Sequence, residues 1–109
     1  MSDYEALFRR RRRESPEIPD HVAEWIEANP LRQWRKEREL SFRKLDRLIA
    51  DEGLTPVPAI ASLCMWEQGR VIPNERNLCN IAAIMGEDPM ALASEWAAWY
   101  DRKPDGWPA

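Results

Sequence analysis

The chain has 109 residues, which fits one domain with enough core to fold without metal ions or disulfide bonds. It contains no apolar run of about 18 residues, so we expect no membrane span. Its N-terminus is polar and arginine-rich and lacks the apolar stretch of a secretory signal. We therefore expect a cytoplasmic protein.

Positive charge is concentrated in two segments, although the formal net charge is −3. Residues 30–50 carry seven basic and three acidic side chains, and the run Arg9–Arg13 lies upstream of them. The segments 20–29, 51–70 and 71–109 carry net charges of −3, −2 and −3. Thirteen of the 16 basic residues are arginine, whose planar guanidinium suits phosphate recognition. A GC-rich genome would give the same bias without a function.

The sequence lacks the usual patterns of catalytic and metal sites. Cys64 and Cys79 do not have C-x-x-C spacing, and the single histidine, His21, has no neighbouring ligand. We expect two buried, reduced thiols. No nucleophile–base set, phosphate-binding glycine loop or suitably placed carboxylate pair is found. We therefore expect neither an enzyme nor a cofactor, metal or small-molecule ligand.

Prolines, glycines and small polar residues divide the chain into an arm, six helices and a tail. Residues 1–19 are predicted to form a flexible or partly helical arm, and residues 103–109 a frayed, Pro/Gly-rich tail. Asp20, Ser41 and Thr55 are expected to cap helices, and Gly53 to end one in a left-handed conformation. The predicted helices span residues 21–29, 30–39, 42–52, 56–68, 74–85 and 89–102.

Apolar side chains recur at helical spacing within each predicted helix, and no strand pattern is present. Most of the six tryptophans lie on these apolar faces and are predicted to be core residues, while Trp107 in the tail is unassigned. The five tryptophans assigned to apolar faces are Trp25, Trp34, Trp66, Trp96 and Trp99.

A series of motifs follows in order from residue 31 to residue 92. A W-E-x-G-x-x-x-P pattern comes after two short amphipathic helices and before an L-x-x-I-A helix. In this order the motifs resemble the phage-repressor-like helix-turn-helix family (XRE, or Cro/CI type), over slightly more than half of the chain. The matching residues are Leu31–Arg35, Leu40, Ser41, Leu45, Trp66–Arg70, Pro73, Leu78, Ile81, Ala82, Met85 and Gly86.

The resemblance implies five short helices, of which the second and third form the helix-turn-helix and the third enters the major groove. It also implies that Trp66 fills the core and that Glu67 pairs with Arg35. The predicted fold is therefore an all-α, five-helix phage-repressor-like helix-turn-helix domain over residues 20–102, with a family-like core over 30–93. The helix around Trp25 is an extra N-terminal helix.

The spacing of the motifs is longer than in the family. Ser41 and Trp66 are 25 positions apart, roughly seven more than the family pattern, which is close to two helical turns. The positions of Gly53 and Thr55 predict that the second helix gains about three residues at its end and the third about four at its start. We therefore expect a lengthened helix-turn-helix with the usual faces retained.

The third helix also departs from the family in its chemistry. Base reading and phosphate contact need hydrogen-bonding side chains, and Ser62 is the only polar residue among the outward positions. Phe42 stands at a position where members of the family often have a glutamine that contacts the DNA backbone. The apolar residues expected on the outward face, which are also the candidates for a protein contact, are Val57, Ile60, Ala61, Cys64 and Met65.

Three interpretations of this face remain open. In the first, the protein is a DNA-binding transcriptional regulator of repressor type that holds duplex DNA mainly by phosphate contacts. In the second, the fold is reused as a protein–protein interaction module. In the third, the extra helix or the tail buries the apolar residues. We expect the first, with the following DNA-contacting residues: Arg9, Arg10, Arg11, Arg12, Arg13, Arg43, Lys44, Arg47, Ser62, Met65, Gln68, Arg70, Asn74 and Arg76.

Two further alternatives concern the arm and the assembly. The arginine run either enters the minor groove or lies along phosphates, or it is a solvated tail. The aromatic and apolar residues of the extra and last helices either cover each other within one chain or form a twofold dimer, and we expect the homodimer. These residues are Val22, Trp25, Ile26, Trp96, Trp99 and Tyr100.

Overall fold

A computed structural model describes residues 18–108 of the chain. This part is all-α and contains no strand, as predicted, and none of its helices is both long and apolar enough to cross a membrane. Residues 1–17 of the predicted arm lie outside the described part of the chain. The six helices are α1 (Asp20–Glu27), α2 (Pro30–Glu37), α3 (Phe42–Asp51), α4 (Ile60–Glu67), α5 (Glu75–Met85) and α6 (Pro89–Asp101).

Side-chain caps fix most of the helix starts. The hydroxyl oxygen of Ser41 accepts a hydrogen bond from the backbone N–H of Lys44 at 3.1 Å, and Asn29, Asn74 and Asp88 cap α2, α5 and α6 in the same way. Each cap gives a partner to one of the backbone N–H groups that a helix start leaves free. The sequence correctly predicted these starts.

Two short helices differ from their predicted bounds. Asp20 is the first residue of α1 and Pro19 holds the cap position, so the predicted Asp20 cap is wrong. The carboxylate of Asp20 lies in the first turn of α1, where it interacts favourably with the positive end of the helix dipole. α2 ends at Glu37, two residues early, because Glu39 takes a φ of +54° and the N–H of Leu40 bonds back to the carbonyl of Arg35 at 3.0 Å.

The start of α4 is the largest correction. The predicted start at Pro56 is wrong, because α4 begins at Ile60 and residues 52–59 form an irregular connection between α3 and α4. Prolines at 56 and 58 explain this, because the residue before a proline is disfavoured in the helical conformation. Thr55 and Val57 are both held out of the helix for that reason. The extra length therefore lies mainly in the connection, and α4 gains no turn.

The helices enclose one apolar core. α3 packs against α4 and α5, α6 packs against α5 and α2, and α1 packs against α2. Trp34 is only half-buried, with the Arg38 guanidinium 4.4 Å from its ring centroid, so it is a weaker core residue than predicted. The buried core residues are Val22, Trp25, Ile26, Leu31, Leu45, Ile49, Leu63, Trp66, Ile81, Ala82, Leu92, Trp96, Trp99 and Trp107.

A tryptophan pair joins the two ends of the described chain. Trp25 of α1 and Trp99 of α6 stack with ring centroids 4.0 Å apart and planes 5° from parallel. Each indole N–H donates to the backbone carbonyl of the other residue, at 2.8 and 2.6 Å. The aromatics of α1 and α6 thus cover each other within one chain. They are not available as the dimer surface on which our homodimer expectation rested.

The tail and the cysteines also differ from expectation. Trp107 is buried, and its indole N–H donates to the carbonyl of Gln68 at 2.6 Å, so the tail is not frayed up to this residue. Cys64 is half-buried and Cys79 is exposed, so the expectation of two buried thiols is wrong. Cys79 lies off the inward stripe of α5, which runs through Leu78 and Ile81 at helical spacing.

Gly69 is packed where no other residue fits. It ends α4 at a φ of +71°, and an added Cβ would collide with the Trp25 ring and lie 3.2 Å from Trp99. Gly86 has a similar φ of +69° but open space around it. Both substitutions to alanine add about 1–2 kcal/mol of backbone strain. Gly69→Ala should cost roughly 1–3 kcal/mol more than Gly86→Ala through overpacking.

Chemical denaturation of the two variants measures this difference in the free energy of unfolding. Equal losses for Gly69→Ala and Gly86→Ala would contradict the packing of Trp25 over the end of α4.

A carboxyl pair at the junction of α5 and α6 makes stability depend on pH. A hydrogen bond with Glu95, with burial and the charges of Glu95 and Asp88, raises the pKa of Glu87 to about 6. Because the folded state then binds the proton on Glu87 more tightly than the unfolded chain, the contribution of this pair to stability rises as pH falls from about 6 towards 4.5. Glu87→Gln should stabilise the protein at pH 7 by up to about 1 kcal/mol and have little effect at pH 4.

Thermal unfolding at both pH values tests this, with Glu52→Gln at an exposed position as the control for the lost charge. A Glu87→Gln effect that is the same at pH 4 and pH 7 would rule out the shared proton between Glu87 and Glu95.

Candidate functional site

A buried ion pair fixes α4 to α2. The Nε of Arg35 lies 2.7 Å from Oε2 of Glu67, and its Nη2 lies 2.8 Å from Oε1, so the contact is bidentate. Glu67 is only 1% exposed. The remaining Nη1 of Arg35 donates to the carbonyl of Leu40 at 2.9 Å, and the guanidinium lies 4.1 Å from the Phe42 ring centroid. The predicted pair is present, and Trp66 beside it is buried in the core, as expected.

The pair belongs to a larger charge network that the sequence analysis missed. Arg32 contacts Glu67 at 3.4 Å and Glu27 at 2.7 Å, and Lys36 contacts Glu27 at 3.3 Å. The hydrogen bond from Arg32, helped by Lys36, lowers the pKa of Glu27. Arg32 and Lys36 lie four residues apart and share one face of α2, but their spacing does not show that this face meets Glu27 of α1. Three cations of α2 contact carboxylates in this network.

α4 has one buried and one exposed face. Leu63, Trp66 and Glu67 point inward. The positions facing outward include Ile60, which is 40% exposed, and Met65, which is 39% exposed. Ala61 is also exposed, Ser62 and Cys64 are half-buried, and Val57 in the preceding connection is 43% exposed. Since the described helices and tail leave Val57, Ile60 and Met65 accessible, the interpretation that these elements bury them is wrong.

α3 supplies exposed positive charge beside this face. Arg43, Lys44 and Arg47 are all exposed, and their helix packs directly against α4. Acidic side chains on α3 are a half-buried Asp46 and an exposed Asp51 at its end. The α2 cations contact carboxylates and Arg38 pairs with Glu37, whereas these three cations lie exposed on α3.

The candidate residues that follow α4 have local partners. Arg70 donates through Nε to Oε1 of Gln68 at 2.8 Å, and its guanidinium lies 4.6 Å from the Trp107 ring centroid. Gln68 also donates to the sulfur of Cys64 at 3.4 Å. Arg70 is nevertheless exposed, so its charge remains accessible.

The candidates at the start of α5 have structural roles. The side-chain oxygen of Asn74 caps α5. Arg76 donates through Nε to the carbonyl of Thr55 at 3.0 Å, and Asn80 donates to the same carbonyl at 3.0 Å. These contacts hold the connection between α3 and α4 in place. Sequence reasoning missed this role because the partner is a backbone atom about 20 positions away. The run Arg9–Arg13 lies outside the described residues.

Comparison with protein-family models, with curated proteins and with solved structures found no match for this chain. Among residues 18–108, no group of three or more His, Cys, Asp or Glu side chains is placed to hold a metal ion. The candidate site consists of the apolar face of α4 and the exposed basic side chains of α3, the helix that packs against it.

Loss of the buried charge at Glu67 should destabilise the fold. Glu67→Gln keeps the size of the side chain but leaves Arg35 without its charged partner, so we expect a loss of about 1–3 kcal/mol. The matched control is Glu37→Gln, since Glu37 forms an exposed pair with Arg38 at 3.9 Å, and it should change stability by less than about 0.5 kcal/mol. Urea denaturation measures both, and equal small effects would contradict the structural role of the buried pair.

Proposed function

We propose that this protein is a DNA-binding transcriptional regulator of the repressor-like type, in which α3 and α4 form a lengthened helix-turn-helix. The observation that carries the proposal is the bidentate Arg35–Glu67 pair, which joins α2 to the end of α4 at the two positions implied by the family resemblance. This pair leaves the outward face of α4 accessible beside the exposed cations of α3.

The binding is led by phosphate contacts. Arg43, Lys44 and Arg47 are exposed on α3, and Arg70 adds a charge just after α4. Neutralising phosphates with such side chains releases counterions, which supplies affinity for any duplex sequence. The outward face of α4 has few groups that could hydrogen-bond to base edges, so hydrogen-bonded base reading contributes little. The arm Arg9–Arg13 is proposed to add phosphate or minor-groove contacts.

The connection between α3 and α4 sets this protein apart from ordinary helix-turn-helix motifs. It comprises residues 52–59, whereas the usual turn has about 3–4 residues. Arg76 and Asn80 of α5 hold the middle of the connection by donating hydrogen bonds to the carbonyl of Thr55. Val57 follows, close to the start of α4. The longer connection is compatible with the proposal because the inward and outward faces of α4 are still distinct.

A second candidate function is a protein–protein interaction module. The observation that favours it is the apolar surface around α4, where Val57, Ile60 and Met65 are about two-fifths exposed. Accessible apolar groups that cluster on one surface are typical of protein contact sites. Ala61 and Cys64 complete this candidate surface. In this alternative the α3 cations serve only as a charged rim, and duplex DNA is not bound.

A fluorescence-anisotropy titration at two salt concentrations separates the two functions. The protein is titrated into a random duplex and into the DNA upstream of its own gene. We expect affinity for both to fall steeply with salt, with sequence discrimination below the ~10³–10⁷ of specific binders. Replacing Arg43 and Arg47 with alanine should lower the salt slope by about 2, since each phosphate contact contributes about 1. Replacing Arg9–Arg13 with alanine should weaken binding to all sequences alike.

Arg102→Ala is the matched control, because it removes an exposed arginine that follows α6. It should leave the slope close to that of the unmodified protein. If neither duplex is bound at low salt, the DNA-binding proposal is overturned and the interaction module is the function that remains.

A further inference from the structure

The accessible face of α4 carries a narrow chemical repertoire. Ile60, Ala61 and Met65 are its exposed residues, and none of their side chains has a hydrogen-bond donor or a strong acceptor. Ser62 and Cys64 are half-buried, and the Cys64 sulfur already accepts a hydrogen bond from Gln68. A surface of this kind recognises a ligand mainly through apolar contact, and Ser62 is its one half-buried hydroxyl.

The major groove of DNA offers one apolar feature to such a surface. Its base edges present hydrogen-bond donors and acceptors, apart from the C5 methyl group of thymine. A methylated cytosine carries a methyl group at the same ring position. We propose that Ile60 and Met65 of α4, with Val57 of the connection, read pyrimidine 5-methyl groups in the major groove. The ligand class is therefore duplex DNA that bears thymine or 5-methylcytosine at the contacted steps. This inference rests on the proposed DNA-binding function.

Helix geometry gives the spacing of the contacts. Ile60 and Met65 are five residues apart, which is about 7.5 Å along the helix axis. Successive base pairs are about 3.4 Å apart. Five residues also turn the helix by about 140°, so Ile60 and Met65 contact different base pairs of a short run of methyl-bearing pyrimidines.

Two sets of contacts hold this face in a fixed orientation. Glu67 is bound on the inward side of α4, so the Arg35–Glu67 pair fixes the rotation of the helix about its axis. Thr55 is held by Arg76 and Asn80 of α5, which positions the neighbouring Val57. The apolar groups are thus placed before any ligand binds, which lowers the ordering cost of recognition.

Charge complementarity on neighbouring elements supports a nucleic-acid ligand. Arg43, Lys44 and Arg47 are exposed on α3, which packs against α4, and a duplex groove is bordered by phosphates on both sides. The acidic side chains among these cations are the half-buried Asp46 and the exposed Asp51 of α3, followed by the exposed Glu52. Methyl groups at the floor of the groove and phosphates along its edges match an apolar face beside basic side chains.

The test compares duplexes that differ only in methyl groups. The full chain is titrated into one thymine-rich duplex, and into the same duplex with every thymine replaced by uracil. A second pair carries cytosine or 5-methylcytosine. The methylated member of each pair should bind about three- to fourfold more tightly for each methyl contacted, since burial of one such group contributes about 0.8 kcal/mol.

The double variant Ile60→Ala/Met65→Ala should lose most of the preference for the methylated member of each pair, and only the part contributed by Val57 should remain. Met90→Ala is the control, because Met90 is 74% exposed but lies on α6. It should retain the full preference for methylated duplexes. Since all three substitutions are at exposed positions, thermal unfolding should show intact folds.

Each other outcome overturns a specific statement. Equal, salt-dependent binding of thymine and uracil duplexes overturns the methyl-reading inference and leaves phosphate-led DNA binding in place. A preference of undiminished size in the double variant overturns the assignment to α4. No binding to any duplex at low salt overturns the proposed function and the inference with it.

Discussion

The arrangement of the helices depends on one buried carboxylate. Glu67 is almost fully removed from water, and an unpaired charge there would be costly enough to unfold a small domain. Arg35 meets it with two hydrogen bonds, and a third hydrogen bond from the same guanidinium holds the carbonyl of Leu40 before α3. One arginine therefore ties α2, the start of α3 and the end of α4 together. The exposed face of α4 is the consequence, because Glu67 and the adjoining Trp66 can only point inward.

A second constraint acts at Gly69, two residues after Glu67. The absence of a side chain there lets Trp25 and Trp99 approach the end of α4, and Trp107 bonds to the preceding carbonyl. α1 and the tail lie outside the stretch that resembles the repressor family, yet both are fixed to this point. They act as structural parts of the domain, and removing either would expose large aromatic rings and free the end of α4.

The sequence predicted features that depend on local chemistry. Ser41, Asn29 and Asp88 cap helices as their side chains suggest, and Gly53 and Gly86 take left-handed conformations. The Arg35–Glu67 pair was predicted from the family resemblance. The start of α4 was misjudged because Thr55-Pro56 is a good helix start by itself, whereas Pro58 restricts Val57 as well. Trp107 could not be placed, since its partner is a backbone carbonyl that no residue type reveals.

The pairing of charges decides which part of the basic segment can act on a ligand. Arg32, Arg35 and Lys36 contact Glu27 and Glu67, so two of these three positive charges are balanced within the network.

The α3 cations are exposed beside an apolar helix. A protein partner would need acidic groups placed around an apolar centre to match this surface. Duplex DNA has such an arrangement in its regular structure, with phosphates along both edges of a groove whose floor bears methyl groups. The outward face of α4 has few side chains that could hydrogen-bond to base edges. It is nevertheless compatible with DNA recognition if methyl groups carry the sequence information.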